Sequence, residues 1–237
     1  EGKALLFREF AKIDAWPVCL DTKDPDKIIE TCRLIAPSFG GINLEDISAP
    51  RCFQIEEALQ DLGIPVFHDD QHGTAIVLLA GLINAAKVVN KSLGDLRVVI
   101  NGAGAAGTAI AKLIAGVGVE EASVEPVQDI LLCDSRGIIG SGREDLNEEK
   151  EKLLTFSNAN NISGSLKDAL NAADVFIGVS KGNLLTATDI STMADNAIIF
   201  GMANPVPEIM PEEASKGGAA VVGTGRSDFP NQVNNVL

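Results

Sequence analysis

Arg97-Val98-Val99-Ile100-Asn101 runs directly into Gly102-Ala103-Gly104-Ala105-Ala106-Gly107, and an apolar helical pattern begins at once. A glycine triplet of this spacing between a β-branched run and a helix fits few folds. The glycines permit a tight turn and close backbone approach to a pyrophosphate, while the helix N-terminus offers N–H groups to the anion. The next strand, 129–133, ends at Asp134, where an acid is expected to accept ribose hydroxyls. It comes later than the usual ~20-residue offset because residues 120–128 add a loop. Ser135-Arg136 leaves room for a 2′-phosphate contact, so the cofactor reads as NAD or NADP, with Asp134 favouring NAD.

The rest of the chain alternates β-branched runs with helical patterns, as a parallel sheet covered by helices does. Strands are expected at 16–20, 39–44, 64–67, 97–101, 129–133, 174–179, 197–201 and 219–223. Helices are expected at 25–35, with Asp24 as N-cap and Pro25 in the first turn, and at 53–62, 73–89, 105–116, 144–155, 165–172 and 187–194. The fold class is therefore α/β. A doubly wound, mostly parallel Rossmann-like sheet over 73–237 is preceded by part of a smaller α/β domain over 1–72.

Two carboxylate pairs flank the helix expected at 53–62: Glu45-Asp46 and Asp69-Asp70. Each follows a short apolar run, so the acids should emerge at strand ends facing one spot. Acids are seldom buried unless paired or metal-bound, and hard oxygen ligands suit Mg²⁺ or Mn²⁺ better than zinc. For one such pair, a cap or surface turn would be the simpler reading. His68 and His72 fall in a turn beside Gly73 and are not read as ligands. Arg51 reads equally as a clamp for a substrate carboxylate and as a paired structural arginine. Lys3 taken alone is an ordinary surface lysine. Asn204, before Pro205, and Asn234-Asn235 lie where loops leave the carboxyl ends of parallel strands, the usual ligand side of such sheets.

Composition narrows the partners. A net charge of −14 over 237 residues opposes nucleic acid and anionic membranes, since phosphate recognition needs a basic face. The longest apolar candidate, 74–89, is interrupted by Asn84 and Lys87, too short for a membrane span. Four scattered cysteines without a CxxC suit a reducing compartment, cytoplasm or an organellar matrix. The start at Glu1 and the end at Leu237 suggest a fragment.

Taken together, Glu1-Gly2-Lys3-Ala4, the Glu45-Asp46 and Asp69-Asp70 segments, the Gly102 loop, Ala203-Asn204-Pro205 and the run from Gly225 to Asn235 resemble the bacterial-type malic enzymes. The resemblance covers essentially the whole chain. It implies oxidative decarboxylation of L-malate to pyruvate and CO₂ with NAD(P)⁺ and Mg²⁺ or Mn²⁺. By the same resemblance Glu45, Asp46 and Asp70 match the metal ligands and Asp69 the adjacent acid. Lys3 matches the general base at the C2 hydroxyl, and Asn204 and Asn235, with Asn234 beside them, match substrate-binding asparagines. The expected partner is a small molecule, with no nucleic acid and no membrane, and the expected assembly is a homo-oligomer, a dimer. One departure stands out: the family's general acid is an upstream tyrosine, and this chain has none. That implies truncation at both ends, with the metal, base and cofactor elements retained. Three other readings remain open: a metal-independent amino-acid-type dehydrogenase, a metal-dependent lyase on a vestigial dinucleotide fold, and a non-catalytic nucleotide-binding module.

Overall fold

Parallel strands need a crossover between them, and the chain supplies one wherever a helical pattern separates two apolar runs. The computed structural model describes residues 2–118 and 125–237. These divide into two units, Glu1–Asp69 with Val236–Leu237, and Asp70–Asn235.

The first unit contains α1 (Gly2–Leu6), α2 (Pro25–Ile35), β1 (Ile42–Leu44), α3 (Arg51–Ala58) and β2 (Val66–His68). The Asp24 carboxylate caps α2 by accepting the Asp26 N–H at 3.0 Å, and Pro25 fills the first turn. β1 and β2 form a two-stranded parallel sheet. Ile28, Cys32, Leu44, Ile55 and Leu59 make its small core. Both strands differ from expectation. Phe39 is still bonded back to Ala36 in a tight turn, so β1 begins only at Ile42. Pro65 has no N–H to donate and contributes only its carbonyl to Ile42, so β2 begins at Val66 and takes in His68, which the sequence placed in a turn. No strand forms at 16–20. Trp16 and Val18 are exposed there, and an apolar run becomes a strand only where an edge is available to pair with it.

The second unit opens with α4 (Thr74–Val88), followed by β3 (Arg97–Asn101), α5 (Ala105–Ile114), β4 (Asp129–Asp134) and β5 (Gly137–Ile138). Then come α6 (Glu148–Leu153), α7 (Leu166–Leu170), β6 (Val175–Gly178), α8 (Ala187–Ile190), β7 (Ile198–Gly201), α9 (Pro211–Lys216) and β8 (Val221–Thr224). The sheet order is β5-β4-β3-β6-β7-β8, parallel except for β5 against β4. The order reverses between β3 and β6, the point at which open α/β sheets bind ligands. Val98 and Ile100 enter one core with α4 and α5, whereas Val99 enters the other with α7, α8 and α9, as the period of two requires. The α/β, doubly wound, mostly parallel architecture is the one read from the sequence. Among the described residues of this unit two elements escaped that reading, the two-residue β5 and α9, whose Pro211 and first-turn Glu212-Glu213 are a conventional helix start. Among the described residues no helix is long and apolar enough to cross a membrane.

Candidate active site

The glycine loop lies at the strand-order reversal, and its three glycines have separate duties. Gly102 has φ +125°, and a Cβ there would sit 2.7 Å from the Val179 carbonyl oxygen at the end of β6. At Gly107 a Cβ would overlap the Gly102 carbonyl, so this glycine lets α5 pack against the turn. Gly104 differs: nothing lies within 4 Å of a Cβ built there. Its openness is therefore not required by the packing of the chain itself, and the N-terminus of α5 begins immediately after it. This is a cradle that a side chain would fill and a phosphate could use.

Asp134 ends β4 as expected, but its carboxylate is already engaged. Oδ1 accepts from the Arg136 N–H at 2.9 Å and from Arg143 Nη1 at 2.8 Å. Oδ2 accepts from Arg143 Nη2 at 3.0 Å and Lys150 Nζ at 2.6 Å. Burial pushes this carboxyl up, yet Arg143, Lys150 and the Arg136 N–H outweigh it and hold Asp134 well below the usual carboxylate range. Four donors use the roughly four acceptor positions of a carboxylate. A ribose diol would have to share or displace one of them.

The asparagines sit on the carboxyl rim of the same sheet. Asn204 is exposed in the loop after β7, and Arg226 Nη1 anchors that loop through the Pro205 carbonyl at 2.9 Å. Beyond β8 the chain folds back, with Val233 N–H donating to the Thr224 carbonyl at 2.7 Å. Asn234 then donates to the Gly225 carbonyl at 3.0 Å. Gly225 lies between these segments, since a Cβ there would stand 3.2 Å from the Met202 carbonyl and 3.7 Å from that of Val233. Asn235 follows, half-buried.

In the first unit the register sets Leu44 opposite His68, so Glu45 and Asp69 leave adjacent parallel strands side by side. Lys3 reaches both. Its Nζ lies 2.5 Å from Asp69 Oδ2 and 3.5 Å from Glu45 Oε1, and Asp69 is only 4% exposed. Burial lowers the Lys3 pKa, but the hydrogen bond and charge of Asp69, then those of Glu45, outweigh it and hold the ammonium above its ordinary value. Glu45 is raised, first by burial and then by the Asp69 charge, which Lys3 offsets only in part. Asp46 is exposed with φ +59°, and Asp70 is in the turn Asp69–Gly73 that precedes α4. Among the described residues no three Asp, Glu, His or Cys side chains are gathered to hold a metal ion. The chain gathers instead one cation shared by two carboxylates. Arg51 is occupied structurally, donating to the Lys23 carbonyl at 2.7 Å and the Ser48 hydroxyl at 2.9 Å. His68 is fully buried, and neither ring nitrogen has a hydrogen-bond partner among the described residues.

Comparison with known proteins assigns the family. Residues 71–236 match the malic enzyme NAD-binding domain and residues 1–60 the malic enzyme N-terminal domain. The chain belongs to the malic enzyme family. The bifunctional malic/malolactic enzyme of Bacillus subtilis is 57% identical over all of this chain and 56% of its own length. The NAD-dependent malic enzyme of Geobacillus stearothermophilus is 53% identical over all of this chain and 48% of its own length. The crystal structure of the NAD-dependent malic enzyme of Thermotoga maritima superposes with a TM-score of 0.91 at 47% identity, over 99% of this chain and 61% of that one. The chain thus spans about half the length of the curated relatives it matches.

Within this malic enzyme chain, four side chains escaped the sequence reading: Arg143 and Lys150 at Asp134, Arg226 at Pro205, and Glu208, buried beneath the Asn204 loop. Nothing local marks them. Lys150 belongs to the acidic run 144–152, which reads as a solvated helix face, and Arg143 stands just before it; only the hairpin through β5 turns both back onto Asp134.

Proposed function

We propose that this chain supplies the base, metal and dinucleotide parts of an enzyme that oxidatively decarboxylates L-malate to pyruvate and CO₂ with NAD(P)⁺. The observation that carries the reading is the Lys3 ammonium held by Asp69 and Glu45 at the ends of adjacent strands. Of these acids only Glu45 and Asp69 already share a cation, and no three carboxylates among the described residues are gathered at one point; by donor chemistry alone Glu45, Asp46 and Asp70 would hold Mg²⁺ or Mn²⁺, with Asp69 beside them. When bound, the ion would polarise the C2 oxygen and compete with Lys3 for its acids. NAD(P)⁺ would take the hydride from C2.

The chain's own groups do the rest. Lys3 must first give up the proton that Asp69 and Glu45 help it keep, and as the neutral amine it accepts the C2 hydroxyl proton. Asn204, Asn234 and Asn235 offer amide donors to the substrate carboxylates. Gly104 lets a pyrophosphate reach the N-terminus of α5, and Asp134 with Arg143 and Lys150 faces the adenosine ribose. Protonation of the enolate carbon is assigned to no residue here, since the chain has no tyrosine. The same reading takes the enzyme as a cytoplasmic or matrix homodimer.

The test is nicotinamide reduction by malate, using the natural chain that contains this sequence. Turnover should disappear on chelation and return with Mn²⁺, and Asp70→Ala should abolish Mn²⁺ binding in calorimetry while sparing the dinucleotide. Turnover that survives chelation, or an amino acid oxidised in place of malate, would favour the metal-independent dehydrogenase instead.

A further inference from the structure

Glu208 is a carboxylate with no exposed surface, and backbone donors rather than a cation satisfy it. Oε1 accepts from the Ser180 N–H at 2.9 Å, and Oε2 accepts from the Ala203 N–H at 3.1 Å. Ser180 is in the segment leaving β6, and Ala203 directly precedes Asn204 in the segment leaving β7. One side chain therefore ties two loops on the ligand side of the sheet. The fold makes room for it, since a Cβ on Gly178, the last residue of β6, would overlap Glu208 Cδ. The main chain reinforces the tie, because the Pro207 carbonyl accepts from Asn183 at 3.0 Å and the Glu208 carbonyl from Leu184 at 2.8 Å. The network also reaches the dinucleotide turn. Asn101, the residue before Gly102, donates from Nδ2 to Ser180 Oγ at 2.7 Å.

Burying an acid without a cation is expensive, and a hydrophobic residue would fill the same space without that penalty. An acid is what the site needs if both N–H groups must be held at once. A carboxylate accepts on both oxygens, whereas an amide accepts on one only. Burial pushes the Glu208 carboxyl up, and the backbone donors pull it part of the way back, as expected of an anion used as a two-point acceptor.

We propose that Glu208 is a positioning residue for malate oxidation, fixing the β6 and β7 loops against each other so that Asn204 is presented in register with the nicotinamide side of the dinucleotide loop. This rests on the malate reading above. Glu208 touches neither substrate nor cofactor and acts through Asn204.

The experiment uses the natural full-length enzyme with E208Q, E208D and N204A, measuring malate kinetics, dinucleotide dissociation constant and thermal midpoint. E208Q should fold and bind dinucleotide within about threefold of the parent, yet lose roughly 10- to 100-fold in kcat/KM for malate, the scale of a small misplacement of a reacting group. In the N204A background E208Q should cost less than about twofold, because its effect passes through the residue already removed. A parent that fails to oxidise malate with Mn²⁺ sinks the malate reading. A parent that succeeds while E208Q matches it, or losses that simply add in the double variant, overturns the positioning role. Failure of both E208Q and E208D to fold assigns Glu208 to stability alone and overturns it as well.

Discussion

The glycine loop after β3 and the acid–lysine cluster after β1 and β2 are built from different materials. The loop works through backbone: one glycine makes the turn, another admits the helix, and Gly104 faces open space. The cluster works through charge, with Lys3 tied to Asp69 and Glu45 and the pKa values of Lys3 and Glu45 both raised. A backbone site is set as soon as its strand and helix form. A charged site depends on which ions share it, so a ligand changes it more than a refolded loop would.

The sharpest way to break that contrast is to remove the charge. In the natural full-length enzyme Lys3→Ala should depress malate oxidation roughly 10²- to 10⁴-fold, the scale for losing a general base, with dinucleotide affinity unchanged. Decarboxylation of supplied oxaloacetate, which needs no base at the hydroxyl, should fall much less. Equal loss of both activities would remove Lys3 from the oxidation step.

Gly104→Val is the matching change in the backbone site. It should weaken dinucleotide binding about 10- to 100-fold, corresponding to one charge-assisted hydrogen bond of about 1.5–3 kcal/mol, while circular dichroism and thermal midpoint stay close to the parent. An unaltered dissociation constant from calorimetry would show that phosphate does not use this loop.

Gly107→Ala should separate packing from binding within the same loop. Its Cβ would meet the Gly102 carbonyl, so urea unfolding should show a loss of about 1–3 kcal/mol, the cost of overpacking. Gly104→Ala, entering open space, should stay within about 0.5 kcal/mol. Similar losses in the two variants would erase the division of labour among the glycines.

The smallest effect concerns the ion cluster of the second unit, and its pH dependence shows only in acid. Asp134 is held below its ordinary pKa, so its contribution is fully present above the unfolded value of about 3.9 and fades as pH falls towards the folded value. The stability difference between the parent and Asp134→Asn should therefore be constant from pH 7 to about 5 and shrink below about 4. A difference that grows with acidification would contradict the Arg143 and Lys150 pairing.

How much could be read in advance varies with the distance over which each feature is decided. The Asp24-Pro25 helix start, the strand at Arg97–Asn101 and the glycine turn were legible because cap, β-branching and turn geometry act between neighbours. The run at 16–20 has the same apolar character as true strands and forms none, because pairing depends on a partner that periodicity does not name. Asp134 was placed correctly at a strand end, yet its two cations come from beyond the β5 hairpin.

By itself the sequence determined most of the alternation of strands and helices from residue 73 onward, the glycine turn and which acids end strands, since propensity, periodicity and backbone freedom are local properties. Tertiary structure alone decided that Lys3 is shared by Asp69 and Glu45, that Arg143 and Lys150 occupy Asp134, and that Glu208 holds Ser180 and Ala203. Those pairings join residues far apart in the chain, and charges and buried N–H groups find their partners only once the sheet register has brought the strand ends together.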